Sequence, residues 1–482
     1  MALNKIKLFG NTKIVCTIGP ASDSVSRLTE LILAGMDVAR LNFSHGSHSE
    51  HLNVLNNLRE AGTKTNEAIT ILQDLSGPKI RTGVVKDHLV ELKVGQDFVF
   101  TVEDIIGDSQ RVSTTYKALP KDVQKGDIIL VDDGRIKMVV TSKTETDVRC
   151  EVLNGGHLKD KKGMNLPGVR FSVSSLTEKD LVDLKFGLNG DVDYVALSFV
   201  RKAEDIRELR SIIIREGKKG IKVPIVAKIE KPEAIENIDS IIAESDVIMV
   251  ARGDLGVELP PEEVPLIQKI IVRKCNEAGK PVIIATQMLE SMIENPRPTR
   301  AEANDVANAV LDGADAVMLS AETSVGNYPV EAVQTMDRII RRAETAEHDR
   351  LGTRLEIRND DMFDAVARAA AVLARQLNAR AIVPITHSGS TAIRISKYRP
   401  SATILAITGR ERILRRLNLV WGVRGMILPQ LDVASDIAFQ HIEEELVKRG
   451  FLEKGDYVVF TAGVPLMSKG TTNTIKVERV GY

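Results

Sequence analysis

Short apolar runs rich in β-branched residues recur along the chain, and each is followed by polar residues and then by a segment with helical spacing. The runs are continuous rather than alternating, which is typical of parallel strands covered on both faces. Segments between them, such as 26–34 and Val264–Ala278, have the apolar spacing of helices. The runs lie at 13–19, 38–43, 69–75, 194–199, 224–230, 247–254, 281–287 and 316–322. Eight such repeats predict an α/β fold built on a closed (β/α)8 barrel of the TIM type, with a doubly wound open sheet as the alternative.

A long interruption separates the third run from the fourth. It contains short alternating runs at 97–102, 127–131, 135–140 and 147–153, separated by turns rich in Gly, Asp and Pro. This pattern predicts a small antiparallel β-barrel domain inserted at residues 82–169. An insertion at this place would act as a lid that excludes water from the mouth of the larger barrel.

The pattern changes again after residue 348. Five further runs alternate with helical segments and predict a separate α/β domain; they lie at 381–386, 403–408, 425–428, 457–461 and 474–480. We therefore assign residues 1–81 and 170–348 to the barrel, 82–169 to the lid and 349–482 to the C-terminal domain.

Composition narrows the class of protein. A chain of 482 residues is too long for one ordinary core, which agrees with several domains. Its 65 Lys and Arg nearly balance its 66 Asp and Glu, so a nucleic-acid partner is not expected. No apolar run has the length of a membrane span, and the first residues lack the pattern of a signal peptide, so we expect a cytoplasmic protein without membrane contact.

Polar side chains gather at the C-terminal ends of the predicted strands, where a (β/α)8 barrel carries its active site. Six of the eight ends bear a charge or a hydroxyl, supplied by Arg40, Asn42, Ser44, His45, Asp74, Lys228, Glu230, Arg252, Asp254, Thr286 and Ser320. Each residue alone has a structural explanation: Arg40 could pair with Asp74, and the hydroxyls could cap helices. Their concentration at one end of the barrel favours a functional site.

The residue types fit a metal-assisted reaction of an anion. Glu230 and Asp254 offer hard oxygen ligands suited to Mg²⁺. Lysine and arginine side chains near them suit phosphate or carboxylate, and Gly253 lets backbone amides approach a small anion. No zinc-type His/Cys spacing and no P-loop sequence is present, so a nucleotide would be held by another device.

An ordered set of motifs along nearly the whole chain resembles the pyruvate kinase family. The motifs are TKIV at 12–15, ARLNFSHG at 39–46, GPKIRTG at 77–83, VDDG at 131–134, GMNLPG at 163–168, ARGDLGV at 251–257, ATQMLESM at 285–292, NPRPTRAE at 295–302 and VMLSAET at 317–323. The resemblance implies Mg²⁺-dependent phosphoryl transfer from phosphoenolpyruvate to ADP, which gives pyruvate and ATP in the final step of glycolysis.

The resemblance also implies roles for individual residues. Lys228 would stabilise the developing enolate oxygen, and Glu230 and Asp254 would hold Mg²⁺. Thr286 and Ser320 would assist proton delivery to the enol carbon. The substrate carboxylate would lie against Gly253, Asp254 and Thr286. Phosphate contacts would come from Arg40 and Arg81, and His45, Lys162 and Lys202 would join Arg81 near the nucleotide.

One position departs from the family pattern. Many members bind K⁺ through residues matching Asn42, Ser44, Asp74 and the Leu75 carbonyl, and they carry a glutamate where this chain has Lys79. A lysine ammonium there would place a fixed positive charge beside the site. We therefore expect activity without K⁺; the alternative is a surface lysine with no such role.

The resemblance further implies a homotetramer regulated by a phosphorylated effector. The candidate effector segment lies between a strand and a helix and consists of Thr386, His387, Ser388, Gly389, Ser390 and Thr391. Such a turn presents amides and hydroxyls to phosphate, although an ordinary capped turn is the alternative.

Two other classes of function stay open at this point. A Mg²⁺-dependent lyase or mutase acting on an enolpyruvate-type acid would use the same barrel, metal ligands and lysine. The lid, Arg81 and Lys202 argue against it, because a lyase needs no nucleotide clamp. A non-catalytic binding protein is disfavoured, because every family position needed for catalysis is filled.

Overall fold

A computed structural model describes residues 9–169, 171–218, 220–345, 361–428, 435–463 and 472–481. The strands are β1 (Lys13–Thr17), β2 (Val38–Asn42), β3 (Thr70–Asp74), β4 (Leu89–Leu92), β5 (Asp97–Thr101), β6 (Arg111–Ser113), β7 (Ile128–Val131), β8 (Ile136–Lys143), β9 (Asp147–Asn154), β10 (Gly156–Lys159), β11 (Met164–Asn165), β12 (Tyr194–Leu197), β13 (Ile225–Ile229), β14 (Val247–Ala251), β15 (Val282–Ala285), β16 (Ala316–Leu319), β17 (Ala381–Pro384), β18 (Thr403–Thr408), β19 (Val423–Ile427), β20 (Tyr457–Ala462) and β21 (Thr474–Arg479).

The helices are α1 (Val25–Ala34), α2 (His48–Thr65), α3 (Leu119–Asp122), α4 (Glu178–Asn189), α5 (Ala203–Glu216), α6 (Pro232–Glu236), α7 (Ile238–Glu244), α8 (Arg252–Glu258), α9 (Val264–Ala278), α10 (Arg300–Leu311), α11 (Ala321–Ser324), α12 (Pro329–Glu344), α13 (Met362–Gln376), α14 (Ser390–Lys397), α15 (Glu411–Leu417) and α16 (Ser435–Lys448), with 3-10 turns at Lys86–His88 and Glu290–Ile293. Among the described residues, none of these helices is long and apolar enough to cross a membrane.

Eight parallel strands close into a barrel in the order β1-β16-β15-β14-β13-β12-β3-β2. The predicted closed barrel is therefore confirmed, and the open-sheet alternative is wrong. Strands β1, β3, β13 and β14 are buried at every position, which explains why their sequences are continuously apolar. The helices between them pack on the outside; α2 begins with a reciprocal capping box between Ser47 and Glu50.

The inserted segment differs in detail from the expected antiparallel barrel. Residues 82–169 form a six-stranded sheet in the order β11-β7-β8-β9-β5-β6 and a separate two-stranded sheet of β10 and β4. Five of its six strand pairings are antiparallel, as predicted, whereas β5 and β6 pair in parallel and the strands form two separate sheets rather than one barrel. The chain leaves the larger sheet at Gly155, where any side chain would lie only 2.3 Å from the Leu92 carbonyl oxygen, and β10 pairs with β4 instead.

The C-terminal α/β domain contains one five-stranded sheet in the order β19-β18-β17-β20-β21. All five predicted strands are present there, and the last one, β21, pairs antiparallel with β20. The domain packs on the N-terminal end of the barrel: Leu419 is fully buried in the cluster that fills that end, and Arg415 pairs with Asp193 at 2.7 Å. The opposite end of the barrel, where the strands terminate, faces the lid segment.

Candidate active site

A buried group of four charged side chains occupies the C-terminal end of the barrel. Arg40 in the middle of β2 donates from Nε to Asp74 Oδ2 at 2.7 Å, and Asp74 is the last residue of β3. Lys228 on β13 places its Nζ 2.8 Å from Glu230 Oε1 and 3.4 Å from Asp74 Oδ1. These residues are each less than 10% exposed, so their charges are held in place chiefly by one another.

The pKa values of this group follow from burial and from mutual attraction. Burial by itself would lower the pKa of Lys228, but Asp74 and Glu230 outweigh it, so that the pKa lies above the ordinary value and the ammonium is cationic. Burial would raise the pKa of Asp74, but Lys228 and Arg40 lower it. The pKa of Glu230 is raised, because burial and the neighbouring Asp254 together exceed the attraction of Lys228.

Glu230 and Asp254 form the candidate Mg²⁺ site. Glu230 follows β13 and accepts a hydrogen bond at Oε2 from the Phe199 backbone amide at 2.8 Å. Asp254 lies in the first turn of α8, is exposed to the cleft, and acts electrostatically on Glu230. Two carboxylates that repel one another suit a divalent cation. No group of three or more acidic, His or Cys ligands occurs among the described residues, so substrate and water would complete the coordination.

The turn after β14 and the turn after β15 contact one another through Gly253 and Thr286. The Gly253 amide donates to Thr286 Oγ1 at 2.7 Å, and Thr286 itself has a positive φ of 70°. A side chain at Gly253 would place a carbon 3.3 Å from that hydroxyl, which is tighter than an ordinary contact. Arg252 fixes the arrangement by donating to the Thr286 carbonyl at 2.8 Å and pairing with Asp305 at 2.7 Å.

Ser320 ends β16 with a hydroxyl that is buried and has no hydrogen-bond partner in the described part of the chain. The residue precedes α11 but does not cap it through its side chain, so the helix-cap explanation fails for Ser320. Its backbone amide donates to Glu322 Oε2 at 2.7 Å, and burial raises the pKa of Glu322. An unpartnered buried hydroxyl is costly unless a ligand or a water satisfies it.

Cationic side chains line the approach from the lid. Burial lowers the pKa of His45 below its ordinary value, and the nearby charges of Lys79, Arg81 and Arg40 lower it further. Lys79 stays accessible to solvent, but partial loss of hydration and repulsion by Lys228 lower its pKa. Among the described residues, no carboxylate is close enough to form an ion pair with Lys79.

A cleft of about 270 Å³ lies between the lid and the barrel. Lys79, Arg81, Lys162 and Asp254 contribute to its walls. Lys162 pairs with Asp132 of the lid at 2.7 Å, and Arg81 donates to the Lys161 carbonyl at 3.1 Å. Two predicted nucleotide residues, Lys202 and His45, are exposed and are not part of this wall.

The four oxygens predicted for a monovalent cation are partly used by hydrogen bonds within the protein. Asn42 Oδ1 accepts from the Ser44 amide at 3.1 Å, and Ser44 Oγ donates to Ser76 Oγ at 3.3 Å. The Leu75 carbonyl accepts from Ser198 Oγ at 2.8 Å. Asn42 and Asp74 are neighbours on the paired strands β2 and β3, and the positive charges of Lys79 and Lys228 act on Asp74.

Comparison with known proteins identifies the family. The model of the pyruvate kinase barrel domain matches residues 9–333, and the model of the pyruvate kinase alpha/beta domain matches residues 364–478. The chain belongs to the pyruvate kinase family. It is 49% identical over 471 residues to the pyruvate kinase of Geobacillus stearothermophilus and 48% identical over 474 residues to that of Staphylococcus haemolyticus. These alignments cover 97% and 98% of this chain, and 80% of each relative.

A solved structure gives the same result for the pyruvate kinase fold. The crystal structure of a pyruvate kinase from Cryptosporidium parvum has a TM-score of 0.93 and 41% identity, and the match covers 98% of this chain and 96% of the other. The chain is therefore an enzyme, a pyruvate kinase-type phosphotransferase, and the lyase or mutase alternative is unsupported.

The candidate effector segment lies at the start of α14 in the pyruvate kinase alpha/beta domain. Gly389 has a positive φ of 87°, and its amide donates to Thr386 Oγ1 at 2.9 Å. The hydroxyls of Ser388 and Ser390 are 3.0 Å apart, and Thr391 Oγ1 is 2.6 Å from Thr472 Oγ1. The segment thus forms a tight turn in which Ser388 and Ser390 are exposed, whereas Thr386 and Thr391 are buried.

Two groups of the candidate site were not predicted from the sequence. The strand ends that carried no predicted residue supply Thr17, which accepts from Arg40 Nη1 at 2.9 Å, and Ser198, which accepts from Lys228 Nζ at 2.8 Å. A second group connects barrel and lid: Glu258 accepts from buried Lys231 at 2.6 Å and from Asn165 of the lid at 3.0 Å. A hydroxyl directly after an apolar run was the available signal for the first group.

Proposed function

We propose that the cleft between barrel and lid catalyses Mg²⁺-dependent transfer of a phosphoryl group from phosphoenolpyruvate to ADP. The observation that carries the proposal is the buried Lys228 ammonium, which is held cationic between Asp74 and Glu230. Phosphoryl transfer from an enol ester leaves negative charge on the enol oxygen. A preorganised cation in a water-poor site stabilises that charge as it develops.

The surrounding residues would complete the reaction site. Glu230 and Asp254 would hold Mg²⁺, which when bound neutralises charge on the transferring phosphoryl group. Arg40 and Arg81 would orient phosphate. The turn of Gly253 and Thr286, with their 2.7 Å contact, would hold the substrate carboxylate. Thr286 and the unpartnered hydroxyl of Ser320 would pass a proton to the enol carbon.

Lys79 would provide the positive charge that K⁺ provides elsewhere in the family. Two observations support this role. The Lys79 ammonium interacts electrostatically with Asp254, Glu230 and Asp74, and it has no ion-pair partner among the residues described. A fixed ammonium beside the carboxylates replaces a dissociable ion, so K⁺ would not be required.

The nucleotide would bind under the lid, between Arg81 and Lys162, with His45 and Lys202 at the edge of the cleft. A phosphorylated effector would bind at Thr386–Thr391, where the exposed side chains of Ser388 and Ser390 lie at the N-terminal end of α14. The active form would be a homotetramer. Titration of phosphorylated sugars and of AMP at subsaturating phosphoenolpyruvate tests the effector site, and light scattering tests the assembly.

The reaction is tested by pyruvate formation from phosphoenolpyruvate with and without ADP, coupled to lactate dehydrogenase. We expect pyruvate only when ADP is present, and loss of turnover in Lys228→Met. Lys280→Met is a matched control, because this lysine lies at the other end of the barrel and donates to the Ser245 carbonyl at 2.7 Å. Pyruvate formation that is independent of ADP, or full activity of Lys228→Met, would overturn the proposal.

A further inference from the structure

Ser198 is buried directly behind the Lys228 ammonium. It follows the last residue of β12 and is 2% exposed. Its Oγ accepts a hydrogen bond from Lys228 Nζ at 2.8 Å and donates one to the Leu75 carbonyl at 2.8 Å. The direction of both bonds is fixed, because an ammonium only donates and a carbonyl only accepts.

The other partners of Lys228 are carboxylates. Glu230 is 2.8 Å away and Asp74 is 3.4 Å away, and both also serve other groups of the site. A Mg²⁺ ion bound by Glu230 would compete with Lys228 for the same carboxylate oxygens. Ser198 is then the neutral partner that holds the ammonium without cancelling its charge.

The backbone conformation of the residue after Ser198 is also unusual. Phe199 has a positive φ of 55°, a conformation that is uncommon and costly for a residue with a side chain. The resulting sharp turn directs the Phe199 amide to Glu230 Oε2 at 2.8 Å, while Ser198 faces Lys228. Ser175 Oγ supports the turn by donating to the Phe199 carbonyl at 3.1 Å. Two successive residues of one turn therefore position two neighbouring residues of the site.

We infer that Ser198 is a positioning residue for Lys228 and that its hydroxyl connects Lys228 to the candidate monovalent-cation position at the Leu75 carbonyl. The inference rests on the proposed function, because it assumes that Lys228 stabilises the developing enolate. It adds that the orientation of the ammonium depends on one neutral hydroxyl. A change at the cation position reaches Lys228 through the same hydroxyl.

The test compares Ser198→Ala, Ser198→Thr and the control Ser245→Ala in the ADP-dependent assay; Ser245 is a fully buried serine outside the cleft wall whose hydroxyl donates to the Ile241 carbonyl at 2.8 Å. Loss of one buried hydrogen bond to a charged group should lower kcat about 10- to 100-fold. The KM for ADP should change less than about threefold, because Ser198 lies behind Lys228 and does not line the cleft. Ser198→Thr, which keeps a hydroxyl, should recover most of kcat. Ser245→Ala should leave kcat within about threefold.

A second readout separates positioning from stability. Ser198→Ala leaves the Leu75 carbonyl free of its hydrogen bond. The response of kcat to added K⁺ should therefore differ from that of the wild type. General loosening of the fold would instead lower kcat equally in all buffers. Thermal unfolding identifies variants that are not folded. If Ser198→Ala is not folded, the kcat of Ser198→Thr decides whether the hydroxyl is needed. Wild-type kcat in folded Ser198→Ala, or no recovery in folded Ser198→Thr, overturns the inference. Full activity of Lys228→Met in the same assay would instead overturn the proposed function.

Discussion

Reversing the charge of Lys79 should convert this enzyme into one that needs K⁺. In the wild type the ammonium acts on Asp254, Glu230 and Asp74, and it is repelled by Lys228. Lys79→Glu removes one positive charge and adds one negative charge at the edge of the same group. The variant should therefore lose affinity for the anionic substrate until an external cation restores the balance.

The magnitude follows from Coulomb's law. At an effective dielectric of about 20, a unit charge about 6 Å away contributes roughly 3 kcal/mol, so reversal of the charge amounts to roughly 6 kcal/mol before screening. Solvent reaches Lys79, so screening reduces this to about 1.5–3 kcal/mol. We therefore expect kcat/KM for phosphoenolpyruvate to fall about 10- to 100-fold in Lys79→Glu.

The assay uses tetramethylammonium buffer with and without K⁺. The wild type should have the same kcat/KM in both, and Lys79→Glu should be rescued by K⁺. Lys86→Glu, which makes the same charge change on an exposed part of the lid segment, is the control. Strong stimulation of the wild type by K⁺ would refute the reasoning, and so would a Lys79→Glu variant that is indifferent to K⁺.

Three further predictions concern the surrounding site. The imidazole of His45 should titrate below its ordinary pKa of 6.5 in a proton NMR titration, because partial burial and three neighbouring cations disfavour the imidazolium. Its pKa should rise in Lys79→Met. A pKa above 6.5 in the wild type would contradict this. Asp74→Asn should lower the free energy of unfolding by about 3–5 kcal/mol at pH 7, since it leaves Arg40 and Lys228 without their shared carboxylate. Because the folded pKa of Asp74 lies below 3.8, this difference should be complete above about pH 5 in urea titrations and shrink as the pH falls further. A difference independent of pH would contradict it. Gly253→Ala should raise the KM for phosphoenolpyruvate about tenfold with folding intact, because its methyl group crowds Thr286; an unchanged KM in steady-state assays would contradict that.

The barrel could be predicted from sequence because its strands are buried on both faces. Continuous apolar runs located all eight strands, and the polar residues that ended six of them do converge at one mouth. The lid was harder to predict, since β11 has two residues and β6 has three, which is too short for a periodic pattern. The parallel pairing of β5 and β6 depends on contacts distant in sequence.

Contacts within the site could not be predicted for a different reason. Ser198 is one serine after an apolar run, and its role follows only from the closure of the barrel, which brings β12 beside β13 and β3. The positive φ values of Phe199 and Thr286 have no local sequence signal, because glycine is the residue expected there. Likewise, the buried pair of Lys231 and Glu258 reads in sequence as two surface charges.

The most direct test of the account follows phosphorus in the reaction. Phosphoenolpyruvate, ADP and Mg²⁺ are incubated with wild type or Lys228→Met, and ³¹P NMR records the substrate and nucleotide signals over time. We expect the phosphoenolpyruvate signal to convert to the γ-phosphate of ATP with the wild type, and at least about 100-fold more slowly with Lys228→Met. Release of inorganic phosphate in place of ATP, or equal ATP formation by both proteins, would contradict it.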